Sequence, residues 1–174
     1  TQALDAIFFM MLDEPVVWNE GVDKETVLDY AFAHQRVTRV NPALLAQYRA
    51  TPEQFIGKTP NDLFKPAIKE SRAVWRQLFD QGQLRTETNV PRFDGTAMMI
   101  ESDYICLYDD AGRITGQVCV QRDVTERKQT EETLREIRDR LQRAESVAHF
   151  GNWELDLVER KFHGSAGAQT IYGL

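Results

Sequence analysis

Few side chains in this sequence are spaced for chemistry. The reactive groups are the thiols of Cys106 and Cys119, the histidines His34, His149 and His163, and the carboxylates of Glu101, Asp103, Asp109 and Asp110. No His/Cys/Asp cluster has metal-ligand spacing, so no metal site is expected. Asp109-Asp110 reads as part of a turn, and Glu101 with Asp103 as a solvated strand face. A phosphate-binding glycine loop, a nucleophile elbow and an acid/base pair are all missing, so no residue is assigned a catalytic role and the chain is read as a non-enzyme. The two cysteines flank the turn Asp109-Asp110-Ala111-Gly112. Pairing across it leaves them about four residues out of register, roughly 13 Å apart. A disulfide wants Cα atoms within about 7 Å, so reduced thiols and a cytoplasmic location are expected. Gln121 shares a strand face with Cys119. A polar side chain turned toward a core needs a partner, which is backbone, water or a ligand.

The elements that position these residues follow from patterning. The 174 residues are 42% apolar and 28% charged, enough core for about one soluble domain. A net charge of −6 argues against nucleic acid as a partner. No apolar run reaches the roughly 18–20 residues of a membrane span, and no signal peptide is visible. The chain opens on Thr1, and a fragment of a longer protein is expected. Leu4, Ile7, Phe8 and Met11 repeat at helical spacing, predicting an N-terminal amphipathic helix within residues 1–13 that Pro15 ends. A short strand is expected over residues 16–18, a helix over 24–34 and a strand over 37–40. Asn41-Pro42, Thr51-Pro52 and Thr59-Pro60 each place a capping side chain before a proline at the first helical position. Three such starts so close together force short helices. A longer helix over 66–81 follows, with Ala73, Trp75, Leu78 and Phe79 to pack, and Gly82 stops it. Strands over 84–92, 96–108 and 113–122 complete a meander with a turn at Asp94-Gly95. The fold class is α+β, a five-stranded antiparallel sheet with short helices on one face, an N-terminal helix and a C-terminal linker helix.

The meander carries apolar residues on both faces. Met98, Ile100, Tyr104, Cys106 and Cys119 point one way; Met99, Ile105, Leu107, Val118 and Val120 point the other. A sheet wetted on one side alternates more cleanly, so a partner surface is expected. The last strand runs through Arg122, Asp123, Val124 and Thr125 into a charged helix over 127–148. There Leu134, Ile137 and Leu141 lie at coiled-coil spacing, the expected seam of a homodimer. Residues 149–174 are too few for a core of their own and read as the truncated start of a second domain.

Taken together, the residues resemble the PAS sensory family with its PAC motif. The resemblance rests on Val40-Asn41-Pro42-Ala43, Phe55-Ile56-Gly57-Lys58, Asp62-Leu63-Phe64, Trp75 with Leu78, the two turns, and Arg122-Asp123-Val124-Thr125-Glu126-Arg127-Lys128. It assigns residues 14–126 to a PAS domain, and the tail resembles a second PAS opening. It implies a signal-sensing and dimerisation module of a bacterial histidine kinase or diguanylate cyclase/phosphodiesterase, with an output domain further along the same chain. The helical stretch between the first two strands is longer than the family's usual hairpin. Of the family's cofactors, covalent flavin is disfavoured because Pro60 stands where a cysteine is needed. Haem is disfavoured because the long helix has no histidine. A non-covalent flavin or small organic ligand stays open, with Phe64, Trp75, Ile100, Tyr104, Cys119 and Gln121 as pocket candidates. Gln121 matches the glutamine that faces the ring in flavin members. A scaffold that binds nothing is the alternative.

Overall fold

The opening apolar run is a strand, and this corrects the N-terminal helix expected from its spacing. In the computed structural model, which describes residues 5–148 and 153–172, β1 covers Ala6–Val16, with Ala6, Phe8, Met10 and Leu12 buried in strict alternation. The run Ala6-Ile7-Phe8-Phe9-Met10-Met11-Leu12 is apolar at every position, so it satisfies a period of two as well as one of 3.6. Strand pairing on both sides decides between them: Phe8 faces Val40 on one neighbour and Cys119 on the other. Pro15 lies inside the strand, where regular pairing with the neighbour lapses between Met11 and Val16 and no ladder N–H is needed. The separate strand expected over 16–18 reduces to the end of β1.

Helix α1 (Lys24–His34) is capped by Asp23, whose side chain accepts from the Glu25 N–H, and buries Leu28, Ala31 and Phe32. Strand β2 (Gln35–Val40) follows directly. The three capped starts all form, as α2 (Pro42–Tyr48), a 3-10 turn (Pro52–Gln54) and α3 (Pro60–Leu63). Asn41 Oδ1 accepts from the Leu44 N–H and, at the same time, from the Ile7 N–H of β1, tying the cap to the sheet. The long helix is a 3-10 turn over Lys65–Ala67 followed by α4 (Ile68–Gln81). Trp75, Leu78 and Phe79 are buried on it, whereas Ala73, expected to pack, faces water. Gly82 closes α4 at φ 77°, a left-handed position that favours glycine. Arg72 joins α4 to α1 through Glu25 and Asp29 at 2.9 and 2.7 Å.

Strands β3 (Gln83–Pro91), β4 (Ala97–Tyr108) and β5 (Ile114–Asp123) form the meander. The five strands pair antiparallel in the order β2-β1-β5-β4-β3. The inner face packs against the helices: Phe8, Met10, Leu12, Val37, Tyr104, Cys106 and Cys119 share one core with Phe32, Leu44, Phe55, Trp75, Leu78 and Phe79. The outer face keeps Ile7, Phe9, Met11, Met99, Leu107, Val118 and Val120 half-buried and Ile105 46% exposed. The expected split of the meander between two faces therefore holds.

The chain divides into two compact units, Thr1–Thr125 and Glu126–Leu174. Helix α5 (Thr125–Ala148) begins one residue after β5 ends and is continuous for 24 residues. Beyond it, β6 (Trp153–Asp156) and β7 (Lys161–Gly164) form an antiparallel hairpin, followed by α6 (Ala166–Tyr172). Residues 149–152, at the start of the tail read as a second domain, lie outside the described residues.

Candidate functional site

The inner face of the sheet carries polar side chains inside an apolar core, and their bonding defines the site. Gln35, Gln117 and Gln121 are each at most 3% exposed. Gln35 links three elements: its Oε1 accepts from Trp75 Nε1 at 2.7 Å, and its Nε2 donates to the Met10 carbonyl at 3.2 Å. Trp75 is fixed further by edge contacts with Phe32 and Phe64 at 5.4 and 5.5 Å, and its ring stands 6.2 Å from Tyr104. Gln121 Oε1 accepts from the Tyr48 hydroxyl at 2.9 Å, joining β5 to the end of α2.

Of the pocket candidates, Phe64, Trp75 and Tyr104 meet as one aromatic row, and Cys119 lies directly opposite Tyr104 across β4 and β5. Gln121 is the next inward residue on β5, opposite the buried Ser102. Ile100 is buried at the other end of β4, opposite Asp123, and so belongs with the chain exit rather than the aromatic row. Gln35, Tyr48, Gln117 and Arg92 were missed. Strand parity with Val37 and with Cys119 points Gln35 and Gln117 inward; nothing local identifies Tyr48 or Arg92.

Burial pushes the titrating groups of this interior toward their neutral forms. It raises the Tyr48 and Tyr104 hydroxyls and the Cys119 thiol, and lifts Cys106 to about 11. Both thiols are free. Their register is a correction: Cys106 pairs with Gln117 and Cys119 with Tyr104, so the offset is two residues rather than four. An irregularity between Leu107 and Tyr108 supplies one residue of the shift, and the turn, where the Asp109 N–H donates to the Arg113 carbonyl, supplies the other.

The second part of the site is the exit from β5. Val124 is 7% exposed; its N–H donates to the Met99 carbonyl, while the Met99 N–H donates to Thr125 Oγ1, both at 2.9 Å. Asp123 Oδ1 accepts from the Thr125 N–H and hydroxyl at 2.9 and 2.5 Å. Its Oδ2 accepts from Arg92 Nη2 at 2.5 Å. Burial works to raise the Asp123 carboxyl, but Thr125 and Arg92 together outweigh it and hold the group below its ordinary range. The rest of the Arg92 side chain donates to the carbonyls of Gln47 and Ala97 and to Thr96 Oγ1. One guanidinium thus ties the end of α2 and the β3–β4 turn to the last residue of β5. Arg122 points outward, pairs with Asp5 at 3.0 Å and lies 3.6 Å from Glu101 and Asp103.

On the helix seam, Leu134, Ile137 and Leu141 are 62%, 56% and 50% exposed. His34 pairs with Asp13 at 3.2 Å and stacks on Tyr30; His163 is exposed, and His149 lies outside the described residues. Among the described residues no group of His, Cys, Asp and Glu gathers to hold a metal, and no helix is long and apolar enough to cross a membrane. A surface depression of about 620 Å³ is lined by Leu84, Arg85, Asp103, Tyr104, Ile105 and Arg122 among others. Its charged side chains already pair with one another and with Asp5.

The PAS fold family matches residues 28–129. Among solved structures, the PAS domain of a protein from Colwellia psychrerythraea is similar over 70% of this chain and 87% of its own, at 23% identity and a TM-score of 0.51. An RNA-binding light-oxygen-voltage receptor is similar at 20% identity and a TM-score of 0.55, over 78% of this chain, which spans about a third (34%) of that receptor. A Rhodobacter sphaeroides LOV protein is similar at 15% identity and a TM-score of 0.53, covering 76% and 66% of the two chains. No curated protein matches the chain.

Proposed function

We propose a sensory role from one premise: the chain belongs to the PAS fold family. The domain senses the state of its interior and passes it along β5 to α5 through Arg122, Asp123, Val124 and Thr125. The observation that carries this reading is the paired anchoring of that exit. Val124 and Thr125 are held by both backbone groups of Met99, and Asp123 is held by Arg92, which reaches α2. A change among the helices that moves α2 therefore acts on Asp123, which accepts from the N–H and hydroxyl of Thr125 at the start of α5. A ligand shifts this equilibrium only by binding the two arrangements with different affinity.

The active form is a homodimer, joined by the apolar outer face of the sheet and by the seam Leu134, Ile137 and Leu141, whose side chains stand half or more in water. The assembly is a cytoplasmic module of a bacterial histidine kinase or diguanylate cyclase/phosphodiesterase, with residues 149–174 opening a second PAS domain and the output domain beyond. Light scattering of the Leu134→Ser/Ile137→Ser double variant tests the dimer: a monomer mass is expected, and an unchanged dimer mass refutes the seam.

A second reading, a PAS scaffold that binds nothing, is favoured by the engagement of Trp75 and Gln35 with each other. Native mass spectrometry of protein purified without denaturant separates the two: a stoichiometric small-molecule adduct supports sensing, and a bare mass supports the scaffold. A bound flavin is disfavoured by Gln121, whose carbonyl oxygen is already bonded to Tyr48. A visible absorption spectrum without flavin bands is the expected result.

A further inference from the structure

Three carboxamides are sunk into the inner face of the sheet, and one differs from the others. A carboxamide brings two N–H donors and a carbonyl acceptor, each costly to bury unpaired. Gln35 bonds through both ends and Gln121 through its oxygen. Gln117 is 0% exposed, and neither its Nε2 nor its Oε1 has a hydrogen-bond partner. Its place on β5 explains this. Directly across the sheet stand Met10 on β1 and Cys106 on β4. The Cys106 thiol is spent on the Leu78 carbonyl. The diagonal neighbours across the strands are Phe8, Leu12, Tyr104 and, past the irregularity in β4, Tyr108, none of which bonds the amide.

We propose that Gln117 is the polar anchor for an uncharged small molecule with an apolar body and an amide-type edge, one donor beside one acceptor, and that this molecule is what the domain senses. The proposal rests on the sensory reading and moves its ligand contact from Gln121 to Gln117. The chemical class follows from what surrounds the amide. An amide edge gives and receives one hydrogen bond with a facing amide edge, satisfying both ends of Gln117 at once. An anion does not suit the site. The buried polar side chains of the inner sheet face are Gln35, Ser102, Gln117 and Gln121, all uncharged, so a carboxylate or phosphate would give up its hydration without a countercharge. The neighbouring thiols and hydroxyls of Cys106, Cys119, Tyr48 and Tyr104 stay neutral at ordinary pH and supply no charge of either sign.

Two measurements on the full chain test this, with benzamide and benzoate as probes that differ in charge at one group. In saturation-transfer NMR, benzamide is expected to give signal with the wild type and with the control Gln77→Leu, which removes an exposed carboxamide on α4. That signal should fall at least several-fold with Gln117→Leu and Gln117→Met, and benzoate should stay silent. Absence of a benzamide signal with the wild type, an equal benzoate signal, or undiminished signal with both Gln117 variants overturns the proposal. In thermal unfolding, the two Gln117 variants are expected to melt at or above the wild-type temperature, because each removes an unpaired polar group. A lower melting temperature for both means the protein already satisfies this amide in its structure, and also overturns the proposal. Benzamide binding that depends on Gln117 while amide exchange at the start of α5 stays unchanged would keep the site and refute the relay, so the two failures are distinguishable.

Discussion

Replacing Asp123 by Asn and by Ala separates the two bonds that anchor the exit of β5. Asn keeps a carbonyl oxygen for the Thr125 N–H and hydroxyl, but it sets an uncharged group, part of it a donor, against Arg92 Nη2. The Arg92 side chain is 14% exposed and that of Asp123 30%, so solvent screens the pair only in part. A hydrogen bond between charged partners contributes about 1.5–3 kcal/mol, and discounting for the exposed carboxylate leaves about 1–2 kcal/mol for Asp123→Asn. Ala also removes the acceptor for Thr125, where each neutral bond adds about 1 kcal/mol, so Asp123→Ala should cost about 3 kcal/mol. Arg92→Ala loses its bonds to Gln47, Thr96 and Ala97 as well, so its own cost is not the ion pair's. The double variant Asp123→Asn/Arg92→Ala isolates the pair, with an expected coupling of about 1 kcal/mol or more. Urea unfolding followed by tryptophan fluorescence gives the energies, and hydrogen exchange reports on the first turn of α5, which should lose protection in Asp123→Ala before the sheet does. Strict additivity of the two variants, or unchanged exchange at Thr125 and beyond in Asp123→Ala, would refute the latch and the relay built on it.

Other tests address the interior and the turns. Trp75→Phe and Gln35→Leu each orphan a buried partner and should cost about 2–3 kcal/mol singly in urea unfolding, while the double variant should cost at least about 1 kcal/mol less than their sum; additivity would deny the bond. Gly116→Ala places a Cβ 2.4 Å from the Met10 carbonyl oxygen and 2.9 Å from Met11 Cα, so β1 must move; a loss of about 3 kcal/mol and of exchange protection in β1 is expected, and wild-type stability would contradict the close approach. Asp94 is held down to about 2 from 3.8 by the Thr96 hydroxyl and N–H and by Arg49. Its folded-state value is depressed, so its contribution is complete above about pH 4 and disappears as pH falls toward about 2. Asp94→Asn should therefore flatten the pH dependence of stability in that window, and an unchanged acid titration would count against these bonds.

Much of the fold was legible because its signals are local. The caps at Asn41, Thr51 and Thr59 before prolines, the stop at Gly82 and the turn at Asp94-Gly95 act through one or two hydrogen bonds or a single φ preference, and each element appears where those residues place it. The face assignment of the meander was also readable, because side chains alternate along any strand. The candidate site was only half readable. Strand parity turned Cys119 and Gln121 inward correctly, but the partner of Gln121 is Tyr48, 73 residues away. An amide with neither end paired lies four residues earlier, at Gln117.

By itself the sequence determined the PAS architecture, the short capped helices and the passage from β5 into a charged helix, since each depends on neighbours along the chain. Tertiary structure alone decided that Ala6–Val16 is a strand, because its apolar run fits either period and only pairing with β2 on one side and the distant β5 on the other selects one. It likewise decided the register of the cysteines, through the closure of the turn and an irregularity that residue types do not announce, and which buried amide goes without a partner. Hydrogen-bond satisfaction is a property of the three-dimensional neighbourhood, and no spacing along the chain encodes it.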